Sequence, residues 1–241
     1  MLTDLWHRAI DAQPQPPRLL VLVAAVLALA VVVPRSPWRL ARNVITIAHE
    51  GGHALVALLS GRRLQSIRLH SDTSGLTVSR GRPSGVGMVA TLAAGYVTPS
   101  LLGLAGAALL AVGRIRIMLW VAIVLLLAVL LMTRNIYGIL SVLVTGAVVF
   151  LVSWYGSAQV QAAFAYLGVW FLLLGGVRPL FEVQRQRRRG MARDSDADQL
   201  AGLTRVPGLL WVGLFLVIAV GAVAASVVVL GIQPNVTWLR S

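Results

Sequence analysis

The rarest side chains of this sequence are concentrated in five consecutive positions. The 241-residue chain contains four histidines and two glutamates, and three of these six residues lie in the run His49-Glu50-Gly51-Gly52-His53. This run matches the HExxH pattern, in which two histidines one helical turn apart project from the same face and can bind one zinc ion. The intervening glutamate can act as a general base on water. The spacing therefore predicts a zinc site with His49 and His53 as ligands and Glu50 as the catalytic group.

The alternative for the same residues is a purely structural role. Neighbouring helices could satisfy these polar groups, with Gly51 and Gly52 serving only to permit close helix packing. Ionisable groups inside a membrane are costly, however, and are therefore usually functional. The chain has no cysteine, so a metal site must use histidine and carboxylate. His7 and His70 have no partner at ligand spacing and are interpreted as surface residues.

The elements that carry this motif belong in a lipid bilayer. Hydrophobic residues make up 58% of the chain and charged residues 12%, whereas soluble domains are about 45–50% apolar. The apolar residues form long runs, which favours helices over the alternating strands of a membrane barrel. The net charge of +13 comes from arginines between these runs. Headgroup contacts account for such arginines, so nucleic-acid binding is not expected.

The pattern predicts an all-α polytopic membrane protein that forms one domain over residues 1–241. We expect about seven transmembrane helices, at residues 19–33, 39–60, 86–112, 117–132, 136–152, 161–177 and 207–230. The polar stretch 178–205 is rich in arginine and should be cytoplasmic. Counting spans back from it puts the N-terminus and segment 61–85 in the cytoplasm. Arg35, Arg39 and Arg42 would then lie outside, against the positive-inside rule.

A short β-hairpin is predicted directly after the HExxH helix. The residues between Arg63 and Arg80 alternate, and Asp72-Thr73-Ser74-Gly75 has the composition of a turn. In the first strand, Leu64, Ser66, Arg68 and His70 would share one face, with Gln65, Ile67 and Leu69 on the other. The alternative is a plain cytoplasmic loop.

Together these features resemble the site-2 protease family of intramembrane zinc metalloproteases. The resemblance covers residues 43–103, with the HExxH helix, the hairpin, and a following helix that contains Ala94-Gly95-Tyr96 and Pro99. In that family an aspartate of an Asp-Gly motif near a later helix is the third ligand. Ser195-Asp196-Ala197 is the nearest match, although Ala replaces Gly and the preceding Asn-Pro is missing. The resemblance therefore implies Asp196 as the third ligand of a divergent member.

Other carboxylates compete with Asp196 for this role. Asp194 and Asp198 flank it, and Asp196 could instead cap a helix N-terminus. In the other HExxH type of zinc protease a glutamate completes the site, and here only Glu182 is left for that role. Its arginine-rich surroundings fit a salt-bridged surface residue better than a ligand.

The resemblance implies a zinc-dependent protease that hydrolyses peptide bonds in or near transmembrane segments of membrane proteins. We expect a multi-pass protein of a bacterial plasma membrane, in contact with the lipid bilayer. Its substrate would add as an extended strand to residues 64–70. No separate sensing domain is visible, which leaves room for a regulatory membrane partner. The alternative is a non-catalytic scaffold or a metal transporter that retains the motif; the apolar middle spans, which are nearly free of ionisable groups, argue against transport.

Overall fold

The computed structural model describes residues 12–192 and 194–231, and these residues are mostly helical with one β-hairpin. The prediction for His7 lies outside them. The fold class predicted from the sequence is confirmed. The elements are α1 Arg18–Val32, α2 Arg35–Leu59, β1 Arg63–Leu69, β2 Gly75–Arg80, α3 Val86–Ala111, α4 Ile115–Met132, α5 Ile136–Tyr155, α6 Ala158–Arg188, α7 Asp196–Thr204 and α8 Gly208–Val229.

Five helices in the described chain, namely α3, α4, α5, α6 and α8, are long and apolar enough to cross a membrane. Helices α1 and α2 are long and apolar enough to cross a membrane only when taken together, and the chain bends by 104° at their junction. Pro34 lies at this bend, where its missing N–H interrupts helical hydrogen bonding. The described chain therefore has five candidate spans, or six with the bent pair, where the sequence predicted about seven by giving α2 a span of its own.

The bend lies at the same end of the bundle as the arginine-rich end of α6. The Arg178 guanidinium donates to the carbonyl oxygens of Val32, Val33 and Pro34, at 3.0 Å for Val33 and 3.2 Å for Pro34. Arg42 of α2 lies 3.5 Å from the Glu182 carboxylate of α6. Arg35, Arg39 and Arg42 therefore share an end with the basic segment after α6, and the prediction that they lie on the opposite side is wrong.

The segment before α1 lies at the other end of the bundle. The Gln13 N–H donates to the Gly113 carbonyl at 2.8 Å, and Gln15 Nε2 donates to the Ala111 carbonyl at 2.6 Å. This is the end where α3 passes into α4, next to Arg114. The predicted placement of the N-terminal segment beside the basic stretch is therefore wrong for residues 12–17. The reason is that α2 is not a full crossing of its own, so the chain crosses once less before α3 than the sequence predicted.

Helix α6 extends 11 residues beyond the predicted apolar run, to Arg188. Its last turns contain strong helix formers, and Arg178 pairs with Glu182 one turn on, at 2.9 Å. The short helix α7 was not predicted. Its signal was present, because Ser195 followed three residues later by Asp198 is a helix N-cap pattern, and the Ser195 side chain does cap α7.

The hairpin is antiparallel as predicted, but a register irregularity between Leu64 and Ser66 changes which side chains share a face. Ile67 and Leu69 are fully buried, and Leu64 packs in the same cluster. Placing Leu64 on the face opposite Ile67 and Leu69 was therefore wrong. One extra residue in a strand reverses the alternation beyond it, and periodicity alone does not reveal such a bulge.

The loop between α4 and α5 closes the outer edge of β1. The Arg134 N–H donates to the Ile67 carbonyl at 3.0 Å. The Asn135 side chain accepts from the Leu69 N–H at 3.1 Å and donates to the Leu69 carbonyl at 2.6 Å. Asn135 thus fills the place of a neighbouring strand, so β1 does not offer the open edge predicted for substrate.

Because the chain has no cysteine, single-cysteine labelling can test this topology without background. Ser36→Cys and Gln186→Cys should react with a membrane-impermeant maleimide from the same side of sealed vesicles. Gln159→Cys, in the first turn of α6, should react only from the opposite side. Labelling of Ser36→Cys and Gln186→Cys from different sides would contradict the shared end.

Candidate metal centre

The centre of the site is the close crossing of α2 over α3. A Cβ at Gly52 would lie 2.6 Å from Thr98 Cβ and 3.0 Å from the Ala94 carbonyl. A Cβ at Gly95 would lie 2.5 Å from His53 Cε1 and 2.6 Å from His49 Cε1. A Cβ at either position would lie 2.6 Å or less from a neighbouring carbon atom, which is too close, so glycine is required at both positions. The small residues let the two histidines lie directly on the α3 backbone.

The backbone of α3 also orients one of the two rings. His53 Nδ1 lies 2.7 Å from the Thr91 carbonyl oxygen, and His53 is buried. An Nδ1–H that donates to this carbonyl leaves a lone pair on Nε2, the tautomer that a metal ligand requires. Tyr96 packs edge-on against the His49 ring, with centroids 4.9 Å apart. The Thr91 contact could not be predicted from the sequence, because it involves a main-chain atom.

Asp196 meets both imidazoles although it lies 143 residues after His53 in the chain. Its Oδ2 is 3.2 Å from His49 Nε2 and 3.3 Å from His53 Nε2, and the two Nε2 atoms are 3.1 Å apart. One ligand atom from each residue lies within 4.8 Å of the others, so the three could hold a metal ion. Burial opposes ionisation of Asp196, but the two histidines hold the pKa of its carboxyl below the usual value.

The position of Asp196 is fixed by its neighbours in α7. The Ser195 hydroxyl caps the helix by accepting from the Asp198 N–H, which places Asp196 in the first turn. The Asp198 carboxylate is 2.7 Å from Arg187 Nη2, which ties α7 to the end of α6. Ala197 and Leu200 are fully buried beneath the helix. Asp196 is therefore the first residue of α7, and Ser195 is the N-cap.

The competing carboxylates do not reach the histidines. Asp198 is engaged with Arg187, and Asp194 is exposed. Glu182 pairs with Arg178 and Arg42 and makes no contact with the two histidines. His70 is exposed, and its Nδ1 lies 3.3 Å from the Ser74 hydroxyl within the hairpin turn. Among the described residues, only His49, His53 and Asp196 form a group of this kind.

Glu50 lies beside this group and beneath the hairpin. It is 4% exposed, and its Oε2 accepts a hydrogen bond from the Thr77 hydroxyl of β2 at 2.6 Å. A Cβ at Gly75 would lie 2.6 Å from Glu50 Cγ, so the strand approaches this closely only because residue 75 is glycine. Thr77 and Gly75 could not be predicted as parts of the site, because nothing local marks them as partners of a residue 25 or more positions away.

The donor set fits zinc. Two imidazole nitrogens and one carboxylate oxygen are ligands that zinc accepts, and three protein ligands leave a position open, as catalytic zinc sites do. The Thr91 carbonyl bound to His53 is the outer partner that such ligands usually have.

Comparison with known protein families agrees with this geometry. The family described as peptidase M50B-like matches residues 22–226, and the chain belongs to it. The resemblance to site-2 proteases inferred from the motifs is thereby confirmed. No curated protein and no solved structure matches the chain.

Replacement of Asp196 tests the composition of the group. Asp196→Ala should weaken zinc binding by at least about 100-fold, since loss of a mere outer partner typically costs 10–100-fold. Asp194→Ala removes an exposed carboxylate two residues away and should leave affinity unchanged. Metal analysis of detergent-purified protein, with competitive chelator titration, measures both. Unchanged affinity in Asp196→Ala would exclude it as a ligand.

Proposed function

We propose that this protein is an intramembrane zinc metalloprotease that cleaves peptide bonds in or near transmembrane segments of membrane proteins. The observation that carries the proposal is the convergence of His49, His53 and Asp196 beside the buried carboxylate of Glu50. Membership of a peptidase family supports the reaction type. The set of candidate spans supports a membrane-protein substrate and a multi-pass location in a bilayer.

His49, His53 and Asp196 would hold the zinc ion. When bound, zinc supplies a Lewis acid that polarises a carbonyl and lowers the pKa of water. Glu50 accepts a proton from the water that attacks the carbonyl carbon of the scissile bond. The C–N bond then breaks, and Glu50 delivers that proton to the leaving nitrogen. The buried setting suits both tasks, because it excludes bulk water from the carboxylate.

Thr77 positions Glu50 for this proton transfer. Its hydroxyl donates to Oε2 at 2.6 Å, while Oε1 receives no hydrogen bond from any described residue. Fixing one oxygen leaves the other in a defined direction. A hydrogen bond to a charged group contributes about 1.5–3 kcal/mol, which is enough to hold one orientation.

An extended substrate would pair with β2. A helical segment has its carbonyls engaged in internal hydrogen bonds, so it must unwind before one can be attacked. The outer edge of β1 is closed by Arg134 and Asn135. Strand β2 is the hairpin strand in contact with Glu50, through Gly75 and Thr77. Strand addition along β2 brings substrate carbonyls next to the catalytic group.

Glu50→Gln separates an enzyme from a scaffold or transporter that retains the motif. The amide keeps the size of the side chain but cannot accept the proton, so proteolysis should fall by about 10²–10⁴-fold while zinc remains bound. Single-span membrane substrates in vesicles, followed by mass analysis of products, measure the cut. Asp194→Asn is the matched control at an exposed carboxylate and should cleave normally. Equal cleavage by Glu50→Gln and wild type would remove Glu50 from the mechanism.

Thr77→Val tests the positioning of Glu50. Valine has nearly the same shape but no hydroxyl, so the cleavage rate should fall by about 10-fold or more with zinc content unchanged. Thr77→Ser restores the hydroxyl and should recover most of the rate. If serine and valine behave alike, the hydrogen bond does not contribute and the residue only packs.

A further inference from the structure

Two cavities lie side by side at the bend between α1 and α2, and both are lined by Arg178. The first has a volume of about 400 Å³ and is strongly basic; its lining residues are Arg35, Trp38, Arg39, Arg42, Arg178, Glu182 and Arg185. The second has a volume of about 390 Å³ and, apart from Arg178, is lined only by apolar side chains of α1, α6 and α8. A basic cavity thus continues into an apolar groove.

The positive charge of the first cavity is not balanced within the described residues. Its single carboxylate, Glu182, is already shared by Arg178 at 2.9 Å and Arg42 at 3.5 Å. Arg178 is further held over the Trp38 ring, 4.8 Å from the centroid, and by the carbonyls at the end of α1. Arg35, Arg39 and Arg185 make no ion pair with any described residue. Three guanidinium groups around one cavity therefore remain for an anion.

The start of α2 adds to this potential. Arg35 is the first residue of α2, which has no side-chain cap hydrogen bond at its N-terminus. The free N–H groups of a first helical turn carry partial positive charge and favour anions. The helix end and the guanidinium groups thus favour the same ligand.

The groove beside this cavity has the character of a lipid contact. Its exposed side chains include Val33, Phe181 and Val220, which are 67%, 57% and 50% exposed. Helices α6 and α8, which form two of its walls, are both candidate membrane spans. A water-soluble anion would fill the basic cavity and leave this apolar groove unoccupied.

We infer that the two cavities form a binding site for one anionic phospholipid. Its phosphate lies among Arg35, Arg39 and Arg185, and an acyl chain lies in the groove between α1, α6 and α8. Arg178 marks the boundary between the polar and apolar parts. The site is separate from the metal centre and does not depend on the proposed peptidase activity.

Native mass spectrometry of the full chain in detergent tests this site by titration with phosphatidylglycerol and with phosphatidylcholine of the same acyl chains. Phosphatidylglycerol should bind in a one-to-one complex, and more tightly than phosphatidylcholine. The triple variant Arg35→Gln, Arg39→Gln, Arg185→Gln should lose about 100-fold in affinity, because each arginine near an anionic headgroup contributes about fivefold. A matched variant with the same charge loss, Arg80→Gln, Arg188→Gln, Arg189→Gln, should lose less than about threefold.

A variant of the groove separates lipid from a free anion. Val220→Trp fills the groove from an exposed position on α8 and should weaken phosphatidylglycerol binding while leaving the arginines intact. Inorganic phosphate that competes as well as the lipid, or a Val220→Trp variant with unchanged affinity, would overturn the assignment to a lipid. Equal losses in the two triple variants would show only general attraction to the basic surface. Thermal unfolding of each variant confirms that the fold is retained.

Discussion

The crossing of α2 over α3 is the contact on which the metal centre depends. With Gly52 and Gly95 at the point of contact, the helices approach until the histidine rings rest on main chain. This approach places His53 against the Thr91 carbonyl and lets both imidazoles contact Asp196 of α7. Burying a carboxylate is costly unless it is hydrogen-bonded. In this arrangement β2 supplies a hydrogen bond to the buried Glu50 carboxylate through the Thr77 hydroxyl.

The bend at Pro34 determines at which end of the bundle the arginines at the start of α2 lie. With α2 as a complete crossing, the arginines at its start fall on the side opposite to the other basic segments. With α1 and α2 as one bent pair, the start of α2, the end of α6 and the α4–α5 loop that contacts the hairpin gather at one end of the bundle. The positive-inside rule predicts that this end faces the cytoplasm.

Local sequence was enough to predict the helices, the hairpin and the HExxH group, because hydrophobic runs and one-turn spacing are properties of neighbouring residues. Asp196 came from resemblance to a family, and its contacts with the histidines depend on the docking of α7 by Leu200 and the Arg187–Asp198 pair. The partners Thr77 and Thr91 could not be predicted, since each is set by tertiary packing. The bend was missed because hydropathy measures length and composition but not direction.

The amide of Asn135 has a consequence for self-association. An isolated two-stranded ribbon has two open edges, and ribbons of that kind can join one after another into long assemblies. The Asn135 amide supplies one donor and one acceptor, the same groups as a peptide unit, and occupies the outer edge of β1 at Leu69. If two copies paired through their β2 strands, the β2 edge of each would be used. The only edges left outside would be those of β1, which Asn135 already occupies. Association through the hairpin therefore terminates at two chains and cannot propagate.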